Sequence, residues 1–335
     1  MARDSHGRTI DYLRISVTDR CNLRCMYCMP EEGVPFKPHG AMLTLEEIAQ
    51  FVRLAAKEGF SRVRLTGGEP LVRLGIGELV HQIAHTPGIE RIAMTTNGIL
   101  LPKMADELRT AGLSRVNISL DTLDSEQFTR ITRWGEINDV FAGIDAALAV
   151  GFAPVKINAV VVRSLNQDFL AFARLSVDRP LHVRFIEYMP VGTSEGTDGS
   201  GWAATDTIPN EELIALLDTQ ARAAGLGALI PLGDTARPEG WGPARYYHFE
   251  GAAGTIGFIS AFSRHFCAEC NRLRLTAEGA LRPCLFSDVE FNVQDALRAG
   301  DDETVRRVLR EALGAKPERH HNRVGTERLM SQIGG

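Results

Sequence analysis

Three cysteines lie within eight positions near the start of the chain, in the stretch CNLRCMYC (21–28). Cys21, Cys25 and Cys28 can present three thiolates to one metal centre, and no fourth ligand lies close by in the sequence. Three ligands with an open fourth position suit a catalytic zinc ion or an iron–sulfur cluster with one free iron. All-thiolate ligation favours the cluster, or a structural zinc ion whose fourth ligand is distant in sequence.

The other three cysteines form a second group near the end of the chain: Cys267, Cys270 and Cys284. A C-x-x-C pair at a turn, with a third cysteine from a hairpin, can ligate zinc or a second cluster. His265 could complete a zinc site, but a histidine beside such a motif is more often structural, so we leave it out. Two triplets that use every cysteine indicate metal sites rather than buried hydrophobic cysteines.

Composition excludes several classes of protein. The 335 residues are 44% hydrophobic and 24% charged, with a net charge of −5, which gives no overall electrostatic reason to bind nucleic acid or a membrane. No apolar run reaches the roughly 18 residues needed to span a bilayer, and the N-terminus lacks the apolar core of a secretory signal. We therefore expect a cytoplasmic protein whose cysteines are reduced.

Residues 11 to about 190 alternate between strand and helix patterns. The predicted strands cover residues 12–18, 62–68, 91–98, 115–121, 155–162 and 182–189. The predicted helices between them include residues 44–60, 101–112 and 137–151. Such alternation predicts an α/β fold with a parallel sheet. Because six units are too few for an eight-fold barrel, we expect a partial (β/α)6 TIM-type barrel, with an open α/β sheet as the alternative.

The residues suited to chemistry follow the predicted strands. The first cysteine triplet follows the first strand, GGEP (67–70) the second, TNG (96–98) the third and SLD (119–121) the fourth. Active sites of barrels and open α/β sheets lie at the carboxyl ends of the strands. The sequence therefore predicts one site at that end.

The pattern changes after Pro190. Residues 191–207 are rich in Gly, Ser and Thr and are typical of a loop or lid, and residues 244–262 and 271–286 are each typical of a hairpin. We therefore predict a barrel domain over residues 1–190 that carries the first metal centre. A smaller region, residues 191–335, would carry the second centre, close the open side of the barrel and end in a Gly-Gly tail.

Basic residues recur on the predicted strands. Arg272 and Arg274 share one face of a strand, whereas Leu273 between them points to the other face. Further cations on barrel strands are Arg14, Arg64, Lys156 and Arg184. Internal salt bridges are one explanation. As a set, however, these cations favour a polyanionic substrate such as a nucleoside triphosphate, held by side chains because the sequence has no P-loop lysine motif.

CNLRCMYC, GGEP, TTNG and NISLD together resemble the motifs of the radical S-adenosylmethionine (SAM) superfamily. The stretches RFIEYMPVG and CAECNRLRLT…RPCLF and the terminal GG narrow the resemblance to the GTP 3′,8-cyclase family of molybdenum cofactor biosynthesis. The resemblance covers nearly the whole chain. It implies two [4Fe–4S] clusters, one held by the first cysteine triplet with an iron open to SAM, and one held by the second triplet with an iron open to GTP.

The resemblance also implies roles for single residues. The residues expected to line SAM are Tyr27, Gly68, Ser119 and Met189. The residues expected to contact GTP are Arg14, Arg64, Thr95, Lys156, Arg272, Leu273 and Arg274. Among these, Arg272 and Arg274 count as catalytic together with the first cysteine triplet. The alternative for the last residues, Ser331–Gly335, is a frayed terminus. The family resemblance instead implies a tail that reaches into the active site and is needed for activity but not for folding.

The implied reaction begins with a SAM-derived 5′-deoxyadenosyl radical that removes hydrogen from C3′ of GTP. The C3′ radical adds to C8 of guanine, and reduction gives 3′,8-cyclo-7,8-dihydro-GTP. Candidate partners are a reductant or electron-transfer protein, the downstream cyclic pyranopterin monophosphate synthase and a second copy of the chain. The alternatives are another radical SAM enzyme with an auxiliary cluster and a non-enzymatic iron–sulfur or zinc module.

Overall fold

A computed structural model describes residues 2–35, 37–189, 202–320, 326 and 328–334. The strands are β1 (Tyr12–Ser16), β2 (Arg62–Thr66), β3 (Arg91–Thr96), β4 (Arg115–Ser119), β5 (Val155–Val161), β6 (Leu181–Glu187), β7 (Ile230–Pro231), β8 (Arg245–His248), β9 (Thr255–Ile259), β10 (Arg272–Leu275), β11 (Ala280–Arg282) and β12 (Phe291–Asn292). The helices are α1 (Leu45–Glu58), α2 (Ile76–Ala84), α3 (Leu101–Thr110), α4 (Ser125–Thr132), α5 (Ile137–Ala149), α6 (Phe169–Asp178), α7 (Asn210–Ala223), α8 (Gln294–Arg298), α9 (Asp302–Gly314) and α10 (Met330–Ile333). None of these helices is long and apolar enough to cross a lipid bilayer.

The first six strands form the parallel wall that the sequence predicts. Strands β1 to β6 are neighbours in chain order, and each pair is parallel. Each ends one or two residues before its predicted limit. The α/β fold with a partial barrel is therefore confirmed.

Two further parallel strands come from the C-terminal part of the chain, and the sequence analysis did not predict their pairing. Strand β10 pairs with β1, with Leu273 opposite Leu13, and β9 pairs with β6, with Ile256 opposite Val183. The predicted hairpins are present as β8–β9 and β10–β11. The C-terminal residues thus extend both edges of the barrel sheet. The predicted domain boundary at Pro190 lies outside the described residues and stays a prediction.

Helix α1 shows how local signals fix the elements around the sheet. Thr44 caps the helix by accepting a hydrogen bond from the Glu47 backbone N–H, and the Glu47 carboxylate accepts from the Thr44 N–H. This is the predicted capping box. The helix ends at Gly59, whose φ of 106° favours glycine. Its Ile48 and Phe51 are fully buried against the sheet.

Helix α5 packs unusually close to the turn that follows β3. Gly98 in that turn has a φ of 86°, and its carbonyl oxygen lies where a side chain on Gly143 of α5 would be. A Cβ on Gly143 would stand 2.1 Å from that oxygen. The missing side chain at residue 143 therefore sets the position of the TNG turn at the carboxyl end of the barrel.

We expect Gly143→Ala to lower the free energy of unfolding by about 1–3 kcal/mol, because the methyl group must push α5 away from the Gly98 carbonyl. The matched control is Gly314→Ala at the end of α9, where an added Cβ meets nothing within 4 Å. The control is expected to be neutral or slightly stabilising. Urea unfolding midpoints measure both changes, and equal midpoints for the two variants would refute the close approach.

Candidate active site

The first cysteine triplet lies in the loop that follows β1. Backbone hydrogen bonds shape this loop: the N–H groups of Cys28 and Met29 both donate to the Cys25 carbonyl, at 2.9 and 3.1 Å. Cys21, Cys25 and Cys28 form no disulfide bond and are of intermediate exposure. All three line one cavity of about 280 Å³ at the carboxyl end of the barrel. The structure therefore brings the three predicted ligands to one place.

Burial keeps these thiols protonated in the absence of a cation. Desolvation raises the pKa of Cys21 to about 11 and that of Cys25 well above its usual value, with the neighbouring cysteines adding repulsion at Cys25. A bound metal reverses this preference because it coordinates the thiolate. The three thiols, at the edge of a cavity and held by a loop, fit an all-sulfur metal centre with one open position.

Tyr27 connects the cysteine loop to the end of β4. Its hydroxyl donates a 2.7 Å hydrogen bond to Asp121, which also accepts from the Val160 N–H at 2.8 Å. The Tyr27 ring stacks on Trp202, with 5.5 Å between ring centroids. Trp202 belongs to the predicted lid 191–207, of which residues 191–201 lie outside the described residues. The sequence analysis did not single out Asp121 or Trp202.

The GGEP turn packs tightly against the loop that follows β1. A Cβ on Gly68 would lie 2.3 Å from the Arg20 carbonyl oxygen, so only glycine allows this approach. Glu69 is 1% exposed, and its carboxylate accepts hydrogen bonds from the Leu71 and Asn97 N–H groups and from the Thr96 hydroxyl. Burial raises the pKa of Glu69 to about 7 despite these bonds. Glu69 thus ties the turn after β2 to the turn after β3.

The remaining predicted SAM and substrate residues of strands β1 to β6 face the same cavity. The lining includes Arg14, Arg64, Gly68, Thr95, Ser119, Lys156 and Met189. Arg64 donates from Nη1 to the Thr95 hydroxyl at 3.2 Å and also to the Tyr12 hydroxyl. The structure therefore brings together the residues that the family resemblance implied, and their individual roles stay predictions.

Four arginines form a row across five adjacent strands. Arg274 on β10 stands opposite Arg14 on β1, which stands opposite Arg64 on β2. The register continues through Ala93 on β3 to Arg115 on β4. We call Arg274, Arg14, Arg64 and Arg115 the arginine row. Burial first, and then mutual repulsion, lower the pKa of Arg14 well below its usual value and the pKa of Arg274 and Arg115 to about 10.

The sequence analysis missed Arg115, although a signal was present. Arg115 opens the strand RVNIS, where an arginine is easily taken for an exposed strand end. It is nevertheless 1% exposed and lines the cavity. Side chains alternate along a strand, so residues 115, 117 and 119 share one face. Since Ser119 was already a candidate, its face identified Arg115 as well.

Lys156 lines the same cavity from β5, the strand next to β4. Its ammonium group donates to the Glu239 carbonyl at 2.7 Å and to the Tyr246 hydroxyl at 3.2 Å. Burial lowers its pKa to about 5, and repulsion from Arg184 and Arg115 adds to the effect. At neutral pH such a lysine is uncharged, and an anion that binds beside it raises its pKa and favours the charged form.

The second cysteine triplet lines a smaller neighbouring cavity of about 70 Å³, which shares Arg272, Arg274 and Met189 with the larger one. The three cysteines that line it are Cys267, Cys270 and Cys284. Burial acts to raise the pKa of Cys270, but Lys316 and Arg272 outweigh it and lower that pKa. The structure therefore places the second triplet beside the arginine row.

Leu273 differs from its neighbours. Its side chain is fully buried in the hydrophobic core, on the face of β10 away from the cavity. Only its backbone is left to contact a ligand.

The last described residues lie against the arginine row. Ile333 is 1% exposed, and Arg274 donates to the Gly334 carbonyl at 2.7 Å. The Ser331 hydroxyl donates to the Cys28 carbonyl at 3.4 Å. A Cβ on Gly334 would lie 2.3 Å from the Thr66 hydroxyl oxygen, so glycine is required there. The tail is therefore docked between the two cysteine triplets as far as residue 334.

Comparison with known proteins agrees with this site. Residues 15–175 match the family model of the radical SAM superfamily, and residues 181–322 match that of Molybdenum Cofactor Synthesis C. Among solved structures, native anSMEcpe with bound AdoMet is 16% identical with a TM-score of 0.59, covering 92% of this chain and 81% of its own. SuiB of Streptococcus suis bound to S-adenosylmethionine is 17% identical, also with a TM-score of 0.59, covering 90% and 68%. These two structures share the fold.

Curated relatives are much more similar in sequence. The GTP 3′,8-cyclase of Pelotomaculum thermopropionicum is 51% identical over 99% of this chain and 100% of its own length. That of Moorella thermoacetica is 49% identical over the same shares. The chain therefore belongs to the GTP 3′,8-cyclase family within the radical SAM superfamily. Membership of the superfamily implies SAM and a [4Fe–4S] cluster.

We expect Glu69→Gln to destabilise the protein by about 1–3 kcal/mol. Both carboxylate oxygens of Glu69 accept hydrogen bonds, and the glutamine amide would place an NH₂ group, which can only donate, against one of these donors. Loss of this contact also frees the Gly68 backbone, so the affinity for SAM should fall. The control is Glu250→Gln, an exposed residue in the turn between β8 and β9. Urea unfolding and SAM titration measure the two effects, and wild-type values for both would contradict the role of Glu69.

Proposed function

We propose that the chain is a GTP 3′,8-cyclase that acts in the first step of molybdenum cofactor biosynthesis. The observation that carries the proposal is the main cavity at the carboxyl end of the barrel. The first cysteine triplet and the arginine row both line this cavity, and the second cysteine triplet lines the smaller cavity next to it. One reacting nucleotide can therefore contact all three. When bound, the cluster and SAM supply a 5′-deoxyadenosyl radical that takes hydrogen from C3′ of GTP, after which C3′ bonds to C8.

The first cluster would be held by Cys21, Cys25 and Cys28. The residues that would line SAM are Tyr27, Gly68, Ser119 and Met189. The hydrogen bond to Asp121 and the stacking on Trp202 fix Tyr27, and the close approach to Arg20 leaves the Gly68 backbone exposed to the cavity. Tyr27 and Gly68, fixed in this way, would help to hold SAM in one orientation, as a short-lived radical requires.

The second triplet, Cys267, Cys270 and Cys284, would hold a second [4Fe–4S] cluster with an iron open to guanine. Among the described residues, no three His, Cys, Asp or Glu side chains are close enough to share one metal ion. The donor set of this site is all sulfur, which suits an iron–sulfur cluster or a zinc ion with a further ligand. Lys316 and Arg272 stabilise the thiolate of Cys270.

GTP would lie between the second cluster and the far end of the barrel. Its contacts would be Arg14, Arg64, Thr95, Lys156, Arg272, the Leu273 backbone and Arg274. Guanidinium groups bind phosphate in bidentate fashion, and here they are preorganised by the strand register. Binding at both ends of the nucleotide positions C3′ and C8 for ring closure. The docked tail would complete the wall of the cavity and exclude water.

A reductant or electron-transfer protein would supply the electrons for SAM cleavage and for reduction of the cyclised product. The downstream cyclic pyranopterin monophosphate synthase and a second copy of the chain are further candidate partners.

The direct test is anaerobic incubation of the reconstituted protein with SAM, a reductant and GTP. We expect 5′-deoxyadenosine and a cyclised nucleotide as products, and about eight irons per chain if both triplets hold a [4Fe–4S] cluster. Arg272→Ala should weaken GTP binding and leave the iron content unchanged. Absence of both products would contradict the proposed function, and zinc in either site would contradict the cluster assigned there.

We expect GTP binding to take up a proton at Lys156. The pKa of Lys156 is about 5 without an anion and rises when phosphate binds beside it. At a pH between the pKa of Lys156 in the free protein and its pKa in the GTP complex, the complex holds one more proton. GTP affinity therefore falls by up to about tenfold for each pH unit of increase in this range. Isothermal titration in buffers of different ionisation enthalpy measures the uptake.

The proton measurement is made at mildly alkaline pH, where the nucleotide itself is fully ionised. Lys156→Gln should abolish the uptake, whereas Lys103→Gln, at an exposed position on α3, should keep it. Equal proton uptake by wild type and Lys156→Gln would show that Lys156 does not face the phosphates.

A further inference from the structure

Arg115 closes the arginine row at the end furthest from the second cysteine triplet. The residue is 1% exposed, and its Nε, Nη1 and Nη2 atoms make no hydrogen bond to any described residue. The other end of the row, Arg274, already donates to the tail at Gly334. A buried guanidinium with five unused N–H donors is costly unless a ligand satisfies it. Arg115 thus marks a place for an anion.

The surroundings hold Arg115 in position without satisfying it. Its guanidinium carbon stands 3.8 Å from the centroid of the Trp241 ring, in a stacked cation–π contact. The Glu239 carboxylate is 3.5 Å from Nη1, but it is half exposed and also accepts a hydrogen bond from Arg91. Stacking fixes the plane of the guanidinium and leaves its edge donors available to the cavity.

The segment 239–243 forms the floor of the cavity beneath Arg115. Gly240, Trp241 and Gly242 all line the cavity, and Lys156 donates to the Glu239 carbonyl. A Cβ on Gly240 would lie 2.7 Å from the Lys156 ammonium nitrogen, so glycine lets the backbone pass close to it. The floor therefore brings Arg115 and Lys156 to one end of the cavity, opposite the second triplet.

The length of the arginine row matches an extended nucleotide. Five adjacent strands at the usual spacing span about 19 Å along the sheet. The base would be anchored at the β10 end, and the phosphates would follow the row towards β4. Ala93 is the small residue between Arg64 and Arg115, so the path along the row is open at that strand.

We propose that Arg115, held by Trp241, binds the terminal phosphate of the substrate and makes the enzyme selective for the triphosphate over the diphosphate. The inference rests on the proposed function and adds a specificity residue to it. Arg64 would contact the phosphates nearer the ribose, whereas Arg115 and Lys156 lie together at the end of the cavity where the last phosphate would be. A diphosphate leaves Arg115 buried and without its ligand, and so loses affinity.

The test compares binding of GTP, GDP and GMP to the cluster-loaded protein by anaerobic isothermal titration. Arg115→Met keeps the packing against Trp241 and removes the charge. We expect it to weaken GTP binding by about 10- to 100-fold, while GDP and GMP binding change by less than about threefold. Arg115→Lys keeps the charge but not the bidentate geometry, so its GTP affinity should lie between those of the wild-type protein and Arg115→Met.

Arg91→Ala is the matched control, because Arg91 contacts the same Glu239 carboxylate from the exposed side. The ratio of GTP to GDP affinity should stay at the wild-type value. If Arg115→Met weakens all three nucleotides equally, or none of them, the inference fails while the proposed function stands. If the wild-type protein binds no GTP, the proposed function fails.

Discussion

Concentrated positive charge inside the barrel is the constraint on which the site depends. Seven basic side chains and only two acidic ones line the main cavity, although the whole chain has a net charge of −5. Repulsion among these cations destabilises the folded protein, and a polyanion that enters the cavity relieves this repulsion. Burial first, and then repulsion from neighbouring cations, lowers the pKa values of Lys156, Arg14 and Arg274. Substrate binding and electrostatic relief are therefore the same event.

The register of the parallel strands fixes the positions of these basic side chains relative to one another. Strand pairing puts Arg274, Arg14 and Arg64 on neighbouring strands and Arg115 one strand further on, beyond Ala93, so the spacing along the arginine row is fixed. Tight turns complete the arrangement at the carboxyl edge, where Glu69 joins two of them. The rigid sheet sets distances along the cavity, whereas the turns place the groups that are proposed to face SAM.

Much of the fold could be predicted because its signals are local. Short stretches of sequence are enough to predict the alternation of strands and helices, the capping box at Thr44 and the two hairpins. The pairing of β10 with β1 has no local signal, since its partners are about 260 residues apart. The cysteine triplets and motif turns were recognised from their spacing. Arg115 could have been found from the strand face that it shares with Ser119, whereas the lowered pKa of Lys156 depends on burial, which a single sequence does not display.

The pairing of β10 with β1 also governs the order in which the protein can mature. During synthesis the first strand emerges early, yet its neighbour on one side is among the last segments to leave the ribosome. Until then the barrel has an open edge, and the cysteine loop after β1 adjoins an unfinished wall. A chain that lacks β10 therefore lacks Arg272 and Arg274 and one wall of the cavity, even though all three cysteines of the first triplet are present.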